Sequence, residues 1–180
     1  MSIKYENFRG DLVEHRWTLF NKIWESTCIE STYKMLNNKA SMNVFENFEL
    51  RNDNNQLIVP TTEFDNAFKE NVMNYTRYFT MLYDMGTKYK AFDIDKEDFS
   101  VIISRPRSKE ISYRLDNHNK DQLNMIHAIT TIYVYVYDKR GKHYIELKCG
   151  DIMIFYGDCC HAISENETEF DTYAVYINFG

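Results

Sequence analysis

Glycine and proline are scarce, with 6 Gly and 2 Pro in a chain of 180 residues. Aromatics are abundant instead, 14 Tyr and 12 Phe among them. That balance favours β-structure and partly wetted aromatic surfaces over disorder. Only 4 Cys occur, without framework spacing and with two adjacent, which points to a reducing, cytoplasmic setting. No run of about 20 apolar residues could span a bilayer, and no apolar N-terminal segment reads as a signal peptide. Positive charge is in deficit: the formal net charge of −6 argues against a generalised nucleic-acid-binding surface. The deficit is uneven, since no Lys or Arg follows Lys148. A G-x-S-x-G elbow, a Walker loop and a Cys/His dyad in family context are all missing.

What is present reads as one domain. At this length about 70% of the unfolded surface can be buried, and no internal repeat or interdomain linker is evident. Asp11 to Cys28 reads as an amphipathic helix, with Val13, Trp17, Phe20 and Trp24 recurring at helical spacing. Asp11 is a candidate N-cap, with Glu14 three residues on. Ser31–Leu50 is mixed. Leu57–Val59 reads as a short strand stopped by Pro60. Phe64–Tyr83 reads as a second helix, with Phe64, Phe68, Val72, Tyr75, Phe79 and Leu82 along one face and Gly86 beyond its end.

After the acidic, loop-like Asp93–Asp98 the period changes to two. Phe99–Ser104, Glu110–Leu115, Thr130–Asp138, Lys142–Cys149 and Thr172–Phe179 all read as strands, with Lys139-Arg140-Gly141 as a hairpin turn. Helices first and strands afterwards predict an α+β fold. Residues 1–98 form its mainly helical part, packed on a jelly roll of antiparallel strands over residues 99–180.

The most informative stretch is Tyr144–Ser164. Tyr144, Glu146 and Lys148 alternate with Ile145, Leu147 and Cys149, as in a strand with one buried face. Gly150-Asp151 makes a turn, Ile152–Tyr156 is an unbroken apolar strand, Gly157-Asp158 turns again, and His161 opens a short strand. This succession resembles the second half of the double-stranded β-helix of iron/2-oxoglutarate dioxygenases. The stretch Phe99–Val136, with Ser104-Arg105-Pro106 at a strand end and a polar loop over Asp116–Gln122, is organised like AlkB-type and prolyl-hydroxylase-type members.

The resemblance implies Fe(II) held by two His and one carboxylate, with positions open for 2-oxoglutarate and O₂. His161 falls on the distal His. The His-x-Asp motif falls on Arg114-Leu115-Asp116, so Asp116 matches the carboxylate while Arg114 replaces the first His. His118, two residues on, gives the reversed order. Two readings stay open: Asp116, His118 and His161 converge on a metal in a shifted register, or the first ligand is lost and the fold persists as a non-catalytic module.

The family's basic anchor for the far carboxylate of 2-oxoglutarate, on the last strand, has no counterpart in Thr172–Phe179. Tyr173 or Tyr176 offers one hydrogen bond there, which does not replace a charge-assisted pair. Arg105, Arg107 and Arg114 are the basic candidates from earlier strands, Arg114 first. An unpaired buried carboxylate is costly, so weak or absent 2-oxoglutarate binding is expected.

The same residues have plainer readings. His161 alone would pass for a half-buried strand histidine, His118 for a solvated loop residue, and His15, His127 and His143 for structural ones. Cys159-Cys160 does not match zinc-finger spacing and reads as buried thiols. Tyr133, Tyr135 and Tyr137 share one strand face, for packing, a pocket or base stacking. Three functions therefore compete: an Fe(II)-dependent oxygenase hydroxylating a protein side chain or a nucleic-acid base, a cupin-like metal enzyme without 2-oxoglutarate, and a non-catalytic binding sandwich. The Asn, Lys, Ile and Tyr bias is that of an AT-rich genome, a viral one among the candidates.

Overall fold

The computed structural model describes residues 12, 14–21, 26–41, 56–60, 64, 66–82, 98–108 and 123–179. Two sheets and two helices make three layers. Strands β1 (Trp17–Phe20), β2 (Gln56–Pro60), β3 (Asp98–Ser104), β4 (Leu123–Ala128), β7 (Ile152–Tyr156) and β9 (Thr172–Phe179) form a six-stranded sheet in the order β1-β7-β4-β9-β3-β2. Strands β5 (Ile132–Asp138), β6 (Gly141–Leu147) and β8 (Cys160–Ile163) form a second sheet in the order β6-β5-β8. All pairings are antiparallel. From β4 onward the chain crosses between the sheets repeatedly, which is the jelly-roll expectation realised. Helices α1 (Ser26–Ser41) and α2 (Asn66–Leu82) cover the outer face of the larger sheet.

Period-two alternation explains why one sheet serves two cores. Leu123, Met125, Ile152, Ile154, Tyr173, Val175 and Ile177 point towards the helices and pack with Cys28, Ile29, Leu36, Phe68 and Val72. Ile126, Ala128, Met153, Phe155 and Ala174 point the other way and meet Ile132, Val134, Val136, Ile145 and Leu147 of the smaller sheet. The helices are tied together by Asn71, whose Nδ2 donates to Thr32 Oγ1 at 2.9 Å and whose Oδ1 accepts from Cys28 Sγ at 3.2 Å.

Several expectations hold to the residue. Ile152–Tyr156 and Thr172–Phe179 are strands with those bounds. The Gly150-Asp151 turn forms with Gly150 at φ 91°, the left-handed region that glycine enters without steric cost. There Asp151 accepts a hydrogen bond from the Lys148 amide at 2.9 Å.

Three readings need correction. The helix expected over Asp11–Cys28 is instead a helical turn at Leu12, Glu14 and His15, followed by β1. Arg16 breaks it at φ 68°, held there by Asp158, whose Oδ1 accepts from Nε and Nη2 at 3.0 and 2.9 Å. Pairing with β7 buries Trp17, Thr18, Leu19 and Phe20 together, so tertiary burial overrides the 3.6-residue pattern. Helix α1 was not foreseen; its buried stripe Cys28, Ile29, Thr32, Leu36 is diluted by Thr and Asn of low helix propensity. Strand β4, at the centre of the larger sheet, was not foreseen either, because Leu123–Ala128 runs into Ile129 without a Gly or Pro to mark the bend. The described residues before Phe99 are still mainly helical, and they also give the larger sheet β1, β2 and the first residue of β3. Glu110–Leu115 lies outside the described residues.

Candidate functional site

The space between the sheets holds the polar groups that the fold does not explain by packing. At one level the larger sheet sets Trp17, Phe155, Asn124 and Asn178 side by side across four strands. The smaller sheet sets His143, Val136 and His161 opposite them. Ring contacts join the two rows: Trp17 to His143 with centroids 5.9 Å apart, and Phe155 to His161 at 4.3 Å. One step along β9, Tyr176 approaches Phe155 at 6.2 Å.

His161 is 7% exposed and points inward because its register partner Val136 does. Its Nδ1 lies 3.1 Å from the Cys159 carbonyl oxygen. A carbonyl only accepts, so Nδ1 is the donor of this contact and Nε2 is the ring nitrogen turned away from it. That is how backbone carbonyls orient metal-binding imidazoles. Asn124 is 0% exposed, and among the described residues neither its Oδ1 nor its Nδ2 has a hydrogen-bond partner. A buried amide without partners costs about 1–3 kcal/mol, which packing alone does not recommend. Asn124 escaped the sequence reading; its signal was a single Asn within the otherwise apolar start of Leu123–Ala128.

His143 belongs to a structural cluster at the rim. Asp138 Oδ1 lies 2.7 Å from its Nε2, while Asp138 Oδ2 accepts from Trp17 Nε1 at 3.0 Å and from the Arg140 guanidinium at 2.6 Å. Burial alone would raise the carboxyl pKa, but the donors from Arg140, His143 and Trp17 outweigh it and hold it below the usual carboxylate range.

Other expected residues are placed elsewhere. Tyr173, a candidate cosubstrate donor, points into the helical layer, edge-on to Tyr33 with its hydroxyl 3.4 Å from Asn37 Oδ1. Tyr176, of opposite parity, is the β9 tyrosine on the inward side. Arg105 is committed to Asp171 at 2.7 Å where β3 meets the start of β9, away from the His161 level. Arg107 is exposed. Among the described residues, then, no Lys or Arg occupies the inward face of either sheet. His127 faces the helices between Ile152 and Val175, and burial lowers its pKa from 6.5 to about 3. Cys159 is buried, with its thiol pushed up to about 12 by burial first and by Asp158 next; Cys149, expected to be buried, is exposed. Arg114, Asp116 and His118 lie outside the described residues. Among the described residues no three His, Cys, Asp or Glu side chains gather as a metal site.

No protein-family model matches the chain, and no curated protein matches it by sequence. Solved structures do match by shape. A Pseudomonas putida prolyl-4-hydroxylase superposes with a TM-score of 0.73 at 10% identity, covering 94% of both chains. The non-heme alpha-ketoglutarate-dependent epimerase SnoN of nogalamycin biosynthesis gives 0.73 at 8% identity, over 94% of this chain and 79% of that one. A Trichoplax adhaerens prolyl hydroxylase, solved with a hypoxia-inducible-factor peptide, gives 0.66 at 12% identity, over 94% and 86%. These likenesses show the fold, the double-stranded β-helix of 2-oxoglutarate oxygenases.

Proposed function

We propose that the chain is an Fe(II)-dependent oxygenase whose site lies between the two sheets. The observation that carries this is His161. It is the second residue of β8 and faces inward, its Nδ1 on a backbone carbonyl, at one level with the Asn124 amide, which has no hydrogen-bond partner among the described residues. The donor set fits the metal to this extent: His161 is one ligand, with Asp116 and His118 as the others. When bound, the iron supplies O₂ activation.

The remaining work falls to residues of this chain. Phe155 holds the His161 ring in place. Ile126, Val134 and Met153, all fully buried, keep water from the floor of the site. Asn124 is ready to donate and accept a hydrogen bond to a bound polar group, and Tyr176 stands on the same sheet face beside it. The substrate is a protein side chain or a nucleic-acid base. Two of the similar structures are prolyl hydroxylases, which favours the former, as does the net charge of −6.

The cosubstrate reading follows from the inward faces. Asn124, Tyr176 and Asn178 are neutral, and Arg105 is already paired with Asp171. A cationic anchor for the far carboxylate therefore falls to Arg114, and without it 2-oxoglutarate binds weakly. The test is anaerobic titration of Fe(II) or Mn(II), followed by 2-oxoglutarate, into chelator-free protein. One equivalent of metal bound by the wild type and lost in His161→Gln is the expected result. Metal binding unchanged by that substitution would sink the proposal.

A further inference from the structure

A cavity of about 360 Å³ lies where the smaller sheet meets the β8–β9 loop. It sits beyond the Ile163 end of β8. Its floor is apolar, from Ile132 and Ile163, and its wall is aromatic, from Tyr133 and Tyr144. The loop adds Glu165 and Glu167, both exposed. No basic residue is among the described residues that line it.

The tyrosines are organised before any ligand arrives. Tyr133 and Tyr144 stack with centroids 5.2 Å apart and planes within 6°, yet remain 37% and 46% exposed. Farther along the same sheet face, Lys142 Nζ sits 4.0 Å from the centroid of Tyr135. There the chain supplies its own cation to the electron-rich ring face. At the cavity end two carboxylates stand where that cation would be balanced. Burial raises the Tyr144 phenol's pKa against a lowering hydrogen bond with Ser164, and Tyr135, Tyr133 and, last, Glu167 add to the rise.

The loop is fixed by Asn166. Its Nδ2 donates to the carbonyls of Ser104 and Phe170 at 2.9 and 2.7 Å, and its Oδ1 accepts from the Thr168 amide at 3.0 Å. Its own amide donates to Ser108 Oγ at 3.2 Å. Glu165 and Glu167 flank this buried pin, so their backbone positions are set. Asp171, by contrast, is neutralised by Arg105.

The geometry points to a second binding site, at the Ile163 end of β8, for an organic cation: an alkylammonium or guanidinium head held against Tyr133 and Tyr144 and balanced by Glu165 and Glu167, its aliphatic stem on Ile132 and Ile163. The head has two sources, a free amine or a basic side chain of a peptide. Its volume is at the small end of ligand pockets, fitting one side chain rather than a folded surface.

The test uses the full chain and nuclear magnetic resonance titration with agmatine, N-acetyl-arginine methylamide and the neutral N-acetyl-citrulline methylamide. Both cations are expected to shift signals of residues 131–133, 144 and 163–168, with the neutral analogue binding at least about 5-fold more weakly. Agmatine binding more tightly identifies a free amine as the ligand; the capped arginine binding more tightly identifies a peptide. Glu167→Gln and Tyr133→Leu should each weaken the cations by about 2–5-fold while leaving metal binding at His161 unchanged. Equal binding of the citrulline compound, shifts elsewhere on the chain, or folded variants with unaltered affinity would overturn the proposal. Loss of metal binding in His161→Gln leaves these titrations unaltered, so the two sites fail separately.

Discussion

Replacing Asn124 by Leu should make the protein more stable and its site less competent. The side chain is fully buried, its Cα registers against Phe155 on one side and Asn178 on the other, and its amide has no partner among the described residues. Desolvating such a group without compensation costs about 1–3 kcal/mol, and Leu is close to Asn in shape and adds apolar burial. A gain of about 2 kcal/mol is expected, which for a chain of this size raises Tm by about 4–8 °C. Thermal and urea unfolding of the metal-free protein measure it, with Asn124→Val as a smaller control against overcrowding. Native sites that hold strained or unsatisfied groups give up stability in this way. A loss of more than about 1 kcal/mol in both variants would refute the reasoning, by showing that the amide works for the fold rather than for a ligand.

His161→Gln should lower metal affinity at least about 100-fold and keep the far-ultraviolet circular dichroism of the wild type, measured by anaerobic Mn(II) titration. His127 gives a pH effect. The unfolded chain takes up its proton near pH 6.5 and the native state only near 3, so stability falls as pH drops from about 6.5 towards 3. The limiting slope is about 1.4 kcal/mol per unit; His127→Gln should flatten urea midpoints measured between pH 6.5 and 4.5. Asn166→Ala removes two donations to backbone carbonyls and should cost about 2–3 kcal/mol, read from the denaturant midpoint. Iodoacetamide at pH 8 should label exposed Cys149 well before Cys159, whose thiol is buried and pushed up to about 12; equal rates by mass spectrometry would contradict that placement.

The second half of the jelly roll was readable because its punctuation is local. Gly150-Asp151 and Gly157-Asp158 bracket an apolar run of one strand's length, and each turn needs the residues it has. Helix α1 and strand β4 were not readable, for opposite reasons. Helix α1 has the right buried spacing but weak formers around it. Strand β4 is buried on both faces, so its apolar run carries no alternation. Strand β1 misled outright: Trp17 and Phe20 fit a helix stripe, yet Arg16 turns the chain and every residue that follows is buried from one side or the other.

The site shows the same limit one level up. The inward place of His161 was legible because a turn sets it, and Asn124 was missed because only the pairing of β4 with β7 and β9 brings it to the His161 level. Parity decided the tyrosines. Tyr173 and Tyr176 are three residues apart in one strand and so face opposite layers; one closes the helical core and the other borders the site. A register shifted by one residue would exchange them. Among the described residues the inward faces carry no cation, and Asn124, Tyr176 and Asn178 on the larger sheet are neutral. Under the proposed function, a carboxylate buried there would need Arg114 to supply the opposing charge. Arg114→Gln therefore separates the two cosubstrate readings: it abolishes 2-oxoglutarate binding if that side chain is the anchor, and leaves an already weak affinity unchanged if it is not.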